Sequence, residues 1–247
     1  MSKAFERNIF TTGEYVEQFH PEDSDNPFHR IYEQKRVDVI AAARALLGDN
    51  PNARVLDVGG GMGRISVPLS GVYDVTLCDV SESMLELARK AAAQAKATTR
   101  LTTQLVDASK PLPYPDASFD LIVCLDLLVH LPDPVAAVRE MHRILKPFGV
   151  AIIDNSNSIP LWTLWYPQYV GRRPSRWVRT WRAGGVLPEW AGIVHHHTRT
   201  QFLSMLAQAD FAVQEERSYG PAICPKWNLA VVRPRATATT ATQPAGG

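Results

Sequence analysis

The spacing of apolar and polar positions divides the chain. From Phe28 to Leu47 the apolar residues Ile31, Val37, Ile40, Ala41 and Leu47 recur at near-helical intervals until Gly48 interrupts them, which predicts a helix. Short apolar runs follow at Val55–Val58, Asp74–Cys78, Leu101–Val106, Phe119–Leu125 and Val150–Ile153. The longest, Phe119-Asp-Leu-Ile-Val-Cys-Leu125, is nearly continuous, as in strands covered on both faces of a parallel sheet. Between the strands helical spacing returns, most clearly over Ser81–Ala97, where Ser81 is an N-cap and Met84, Leu85 and Ala88 form the inner face. Alternating strands and helices up to Asp154 call for a parallel sheet with helices on both faces. A helix near Thr200–Ala209 and strands near Val213–Tyr219 and Leu229–Val232 complete a domain over residues 28–233. The segments 1–27, 156–195 and 234–247 break the pattern, and the last is too poor in apolar residues to offset chain entropy, so disorder is expected there.

The first strand ends in Asp57 and runs into a loop with glycines at 59, 60, 61 and 63. Such a loop lets a ligand lie against bare main chain, with amide N–H groups and the next helix N-terminus expected to face it. The dinucleotide spacing Gly-x-Gly-x-x-Gly, read from Gly59, requires a small residue at position 64 and meets Arg64 instead. Asp57, Gly59, Gly61 and Gly63 satisfy Asp-x-Gly-x-Gly-x-Gly. An acid at the end of the second strand, about 20 residues beyond such a loop, is placed to accept hydrogen bonds from ribose hydroxyls, and Asp79 stands there.

With these residues, the chain resembles the class I S-adenosylmethionine (SAM) dependent methyltransferases, in the small-molecule group that includes quinone-biosynthesis enzymes. Asp116-Ala-Ser-Phe-Asp120 through His130-Leu-Pro-Asp-Pro134 is similar to that family's fourth-strand signature, and Arg143-Ile-Leu-Lys-Pro-Phe-Gly149 to its helix-to-fifth-strand turn. The resemblance implies a Rossmann-like α/β fold with a seven-stranded, mostly parallel sheet and an antiparallel last strand. It implies SAM as cofactor, held by Asp57, Gly59, Gly61, Gly63, Asp79, Val80, Met84, Asp107, Ala108 and Leu125, with Asp107 on the adenine amino group. Two departures stand out. Val129 replaces an acid common before the histidine, and Phe148 replaces a usual glycine, so that turn must suit a bulky residue.

Methyl transfer from a sulfonium is an in-line displacement with a good leaving group, so alignment in a dry pocket supplies much of the acceleration. A base matters when the acceptor is a hydroxyl. His130, just past the fourth strand, is the candidate, its ordinary pKa being about 6.5; the competing reading is that it braces the Leu131–Pro134 turn. Residues 156–192 hold five of the six tryptophans, interleaved with Arg172, Arg173, Arg176, Arg179 and Arg182. Trp162, Trp165, Arg176 and Trp177 suit an aromatic or anionic acceptor, a membrane interface, or simply an exposed helix. Tyr15 in the N-terminal segment, with Phe19 and His20, is placed to fold over the cleft or to pack. In His195-His-His197 consecutive side chains of an extended segment alternate faces, so at most two converge; no metal is expected, and His195 reads as structural or acceptor-lining.

Composition narrows the rest. With 26 basic and 25 acidic residues the net charge is +1, against a nucleic-acid partner. Asp126 interrupts the longest candidate apolar run, and the mixed-charge opening is unlike a signal segment, so a cytoplasmic protein is expected. Cys78 and Cys124 on core strands and Cys224 in a loop read as reduced thiols. Two rival functions stay open: a nicotinamide-dependent oxidoreductase and a non-catalytic SAM-binding scaffold. The methyl acceptor is not legible.

Overall fold

The computed structural model describes residues 27–157, 197–220, 225 and 227–235. The elements run α1 (Pro27–Leu47), β1 (Arg54–Val58), α2 (Ser66–Ser70), β2 (Asp74–Asp79), α3 (Glu82–Gln94), β3 (Leu101–Leu105), β4 (Phe119–Cys124), a 3-10 turn (Leu128–His130), α4 (Pro134–Ile144), β5 (Leu145–Ser156), α5 (Arg199–Gln208), β6 (Phe211–Tyr219) and β7 (Trp227–Pro234). The strands form one seven-stranded sheet in the order β3-β2-β1-β4-β5-β7-β6. All neighbours are parallel except β7, which is antiparallel to β5 and β6. The chain order reverses between β1 and β4, which opens a crevice at their carboxyl ends.

Period-two alternation explains why the central strands are apolar throughout. Leu56, Ile122, Ala151 and Ala230 point to one core, which α4 covers with Val138, Met141 and Ile144, and α5 with Phe202 and Leu206. Their neighbours Val55, Leu121, Ile152 and Val231 point to the other, under Val39 and Ala43 of α1 and Leu69 of α2. On that same face Leu85 and Ala88 of α3 close over Leu77. Local signals start the helices: Asp133 caps the Ala136 N–H at 3.0 Å just before Pro134, and Thr198 with Gln201 forms a reciprocal capping box.

Several sequence expectations are corrected. In α1 the buried stripe is Lys35, Val39 and Ala43, while Val37 is 51% exposed and Ala41 is exposed as well. A 3.6-residue repeat fits either phase, and the lysine in the stripe disguised the true one. The tail does not begin at 234, since β7 includes Pro234 and the Arg235 N–H donates to Asp210 O at 2.8 Å. Phe148 lies on the surface and its backbone avoids the left-handed region. Gly149 is the position that excludes a side chain, because a Cβ there would stand 2.7 Å from Leu145. Val129 is buried, where an acid would carry a desolvation cost.

Lys35 joins the two halves of the chain. Its ammonium, wholly buried, donates to Asp126 Oδ2 at 2.7 Å and to Asp154 Oδ2 at 2.5 Å. It lies 4.8 Å from the centroid of Trp227 and 5.0 Å from that of Tyr32, close enough for cation–π attraction. Burial alone would lower its pKa, but the two carboxylates raise it well above the usual ammonium range. Asp154 in turn is pushed up to about 6 by burial, although Lys35 pulls it down. Lys35→Met strands two carboxylates and is expected to cost about 3–5 kcal/mol in urea unfolding at neutral pH. The loss should be smaller near pH 5, because Asp154 can then take up a proton in the folded state; an equal loss at both pH values would contradict this electrostatic account.

Candidate active site

The glycine loop is short because β1 stops at Val58 and α2 starts at Ser66, with the turn held from below. Gly59, Gly61 and Gly63 have φ of 71°, 54° and 79°, where a side chain is strained. Gly60 is required for a different reason: a Cβ there would stand 2.6 Å from the Asp57 carboxyl carbon. Around Gly61 nothing lies within 4 Å of an added Cβ, so this residue fronts open space.

The loop amides do not face outward as expected from the sequence. Gly59 N–H donates to Cys78 O at 2.8 Å, Gly60 N–H to the same oxygen at 3.3 Å, and Gly61 N–H to Asp79 Oδ2 at 2.9 Å. Gly63 N–H closes a turn onto Gly60 O at 3.0 Å. The loop is thus folded back onto the end of β2, and the N–H groups of its four glycines are consumed. A pyrophosphate needs such donors. A ligand without phosphate does not.

Asp79 is the link between two turns. Its Oδ2 accepts from Gly61 and its Oδ1 from the Ser81 N–H at 2.9 Å. Burial pushes its carboxyl above the usual carboxylate range, against the pull of the Ser81, Gly61 and Val80 amides. Two donors leave further lone pairs on the oxygens for ligand hydroxyls. Asp57 behaves differently. It is buried, its Oδ2 accepts from Ser66 Oγ at 2.6 Å, and burial raises its pKa to about 6, with Ser66 lowering and Asp79 further raising it. It braces the loop from inside.

The other sequence candidates follow the sheet edge. Val80, Asp107, Ala108 and Leu125 are half-buried at the carboxyl ends of β2, β3 and β4, whereas Met84 is buried under the first turn of α3. Asp107 Oδ1 accepts from Ser109 N and Oγ at 3.0 and 2.6 Å, and its Oδ2 pairs with Lys110 at 3.0 Å. Burial raises the Asp107 carboxyl, but Ser109 and Lys110 outweigh it and leave the pKa lowered. His130 is half-buried at the end of the 3-10 turn, its N–H bonded to Leu127 O at 2.9 Å. Tyr15, Phe19, His20, Trp162, Trp165, Arg176, Trp177, His195 and Cys224 lie outside the described residues.

Two contributors went unnamed in the sequence. Leu127 packs on the loop, its Cδ1 lying 3.0 Å from where a Cβ of Gly59 would be. Asp126, beside it, takes the Trp227 Nε1–H on Oδ1 at 2.6 Å and Lys35 on Oδ2, with a φ of 55° that a non-glycine residue seldom adopts. The signal was available: a lysine inside an apolar helical stripe must have a buried acid as partner.

Residues 56–153 match the family model of the methyltransferase domain. Among curated proteins, the chain is 32% identical over 144 residues to the ubiquinone biosynthesis O-methyltransferase of Xanthomonas campestris pv. campestris strain B100, covering 56% of this chain and 56% of that protein. It is 38% identical over 109 residues to the 27-O-demethylrifamycin SV methyltransferase of Amycolatopsis mediterranei strain S699, covering 43% of this chain and 40% of that one. The chain therefore spans about half the length of the curated relatives it matches. Among solved structures, the magnesium protoporphyrin IX methyltransferase of Synechocystis PCC 6803 with bound SAM superposes with a TM-score of 0.67 at 18% identity, over 94% of this chain and 98% of that one, a likeness of fold. The match runs from β1 to β5 and takes in the glycine loop, so this part of the chain is similar to methyltransferase domains.

Proposed function

We propose that this protein transfers a methyl group from SAM to an oxygen or nitrogen of a small-molecule acceptor, a metabolite, lipid or sugar intermediate. The observation that carries the reading is the loop whose amides are spent on Cys78 O and Asp79. It presents acids and bare main chain, which suits a cationic, phosphate-free cofactor and disfavours a dinucleotide. The relatives named as O-methyltransferases favour oxygen.

In this reading Asp79 holds the ribose hydroxyls, Gly59, Gly61 and Gly63 clear room for the amino-acid end, and Asp57 keeps the loop in shape through Ser66. Val80, Met84, Ala108 and Leu125 line the base and Asp107 faces its amino group. When bound, SAM supplies an electrophilic methyl carried on a sulfonium. His130 takes the proton that a hydroxyl acceptor gives up as its oxygen forms the new O–C bond. Trp162, Trp165, Arg176, Trp177, His195 and Tyr15, the acceptor contacts of this reading, lie outside the described residues. A non-catalytic SAM-binding scaffold is the second reading, because acids at 57, 79 and 107 serve binding as well as turnover. Methylated product from any acceptor excludes it.

Three outcomes test these assignments. Asp79→Ala should weaken SAM and S-adenosylhomocysteine binding by about 1.5–3 kcal/mol by calorimetry, with the fold intact by circular dichroism; unchanged affinity would remove Asp79 from the site. For His130→Ala, kcat should fall by roughly a hundredfold to ten-thousandfold while SAM affinity stays within about twofold. A drop below about tenfold with an unaltered pH profile would leave His130 as a brace for the following turn.

The third concerns Asp57, whose folded pKa of about 6 lies above its ordinary 3.8. The folded state binds this proton more tightly, so the stability it contributes is complete below about pH 4 and is lost as pH rises through about 6. Between about pH 5 and pH 7.5, wild-type protein should lose about 1.4 kcal/mol more unfolding free energy than Asp57→Asn, whose amide still accepts from Ser66. Parallel pH profiles in urea titrations would show that Asp57 is not the cause.

A further inference from the structure

We propose that Asp126 sets the chemical class of the methyl acceptor, by accepting a hydrogen bond from an O–H or N–H of the bound acceptor and by repelling acceptors that present a carboxylate at that point. This rests on the methyl-transfer reading above and adds a specificity determinant to it.

Asp126 occupies the link between β4 and the 3-10 turn that carries His130. The next residue, Leu127, packs against Gly59, so the link borders the glycine loop at the point where chain order reverses. Of the three charged groups in the cluster, Lys35 and Asp154 have side chains 1% and 0% exposed, and Asp126 is 34% exposed. The cluster meets solvent through this one carboxylate. One ammonium faces two carboxylates, so the group carries an excess negative charge when both acids are ionised. Burial keeps that charge poorly screened.

The carboxylate is also held in place. Lys35 donates to one oxygen and the Trp227 indole N–H to the other, while the Asp126 backbone N–H donates to Asp154 Oδ1 at 2.6 Å. Each side-chain oxygen has one donor and keeps a lone pair for another. Elsewhere in the described residues, the cluster of Arg143 with Glu140 and Asp116 lies near the start of β4, at the opposite edge of the sheet from the loop. A phenol, alcohol or amine offers Asp126 the donor it can accept. A carboxylate offers only a second negative charge in the same place.

The experiment uses the full chain saturated with S-adenosylhomocysteine, titrated with phenol, benzylamine and benzoate and followed by NMR. Phenol and benzylamine should bind at least about tenfold more tightly than benzoate. In Asp126→Asn that preference should disappear, with S-adenosylhomocysteine affinity changed by no more than about twofold. A purely structural role would lower stability without altering the ranking. The variant leaves Lys35 paired with Asp154, a neutral buried pair; should its melting curve nevertheless show unfolding, the ranking in the wild-type protein carries the test. Equal binding of benzoate, a preference that survives in the folded variant, or no binding of phenol and benzylamine overturns the proposal. Failure of S-adenosylhomocysteine itself to bind is a separate result, and counts against the functional reading on which this one rests.

Discussion

A lysine removed from water either loses its proton or brings its counter-charges with it. Lys35 does the second, and the arrangement of the molecule around the crevice depends on that choice. Its two carboxylate partners come from the end of β4 and from β5, and its aromatic neighbour Trp227 opens β7. One side chain of the first helix thereby draws together three adjacent strands at their crevice-facing ends. Without the ammonium, Asp126 and Asp154 would repel each other across that edge. Lys35 therefore stabilises a shape as well as a contact, and it sets the position of the link between Leu125 and Leu127 against the glycine loop.

The loop obeys a complementary constraint. Its backbone donors turn inward to the end of β2, and Asp79 ties it to the next turn. Satisfying buried N–H groups internally removes the usual anion-binding property of a glycine-rich turn. What remains facing the crevice is space at Gly61 and the oxygens of an acid. A site built this way suits positive charge and hydroxyl groups, which distinguishes it from a dinucleotide site made from a similar strand-loop-helix sequence.

The parts of the fold that were legible are those in which each residue reports its own environment. Buried central strands are continuous apolar runs, and Asp57, the glycines and Asp79 are separated by distances that the strand-loop-helix turn itself imposes. Ser81 announces a helix start because its cap is local. Which acids pair with Lys35 was not legible, since they lie 91 and 119 residues away and no local rule couples them. The inward turn of the loop amides was hidden for the same reason: their acceptor, Cys78 O, belongs to the neighbouring strand. Spacing identified the glycines but could not say which way their N–H groups point. Gly149 was concealed by Phe148, the bulky neighbour in the same turn, because the close approach that excludes a side chain involves Leu145.

The charge distribution of the crevice then follows from where burial and pairing coincide. Asp57 is buried against the Ser66 hydroxyl and backbone N–H, Asp79 is half-buried against backbone amides, and Asp126, half-buried, meets a full cation. A hydroxyl offsets little of the desolvation of a carboxylate, amides more, and an ammonium most. Burial therefore raises the Asp57 carboxyl, under the loop, whereas an ammonium faces Asp126 beside the turn that carries His130. On the proposed reading, the cofactor side and the acceptor side can be tuned separately, because different residues supply the compensation in each. On that reading one domain holds a common cofactor geometry while the residues around Asp126 determine what is brought to it.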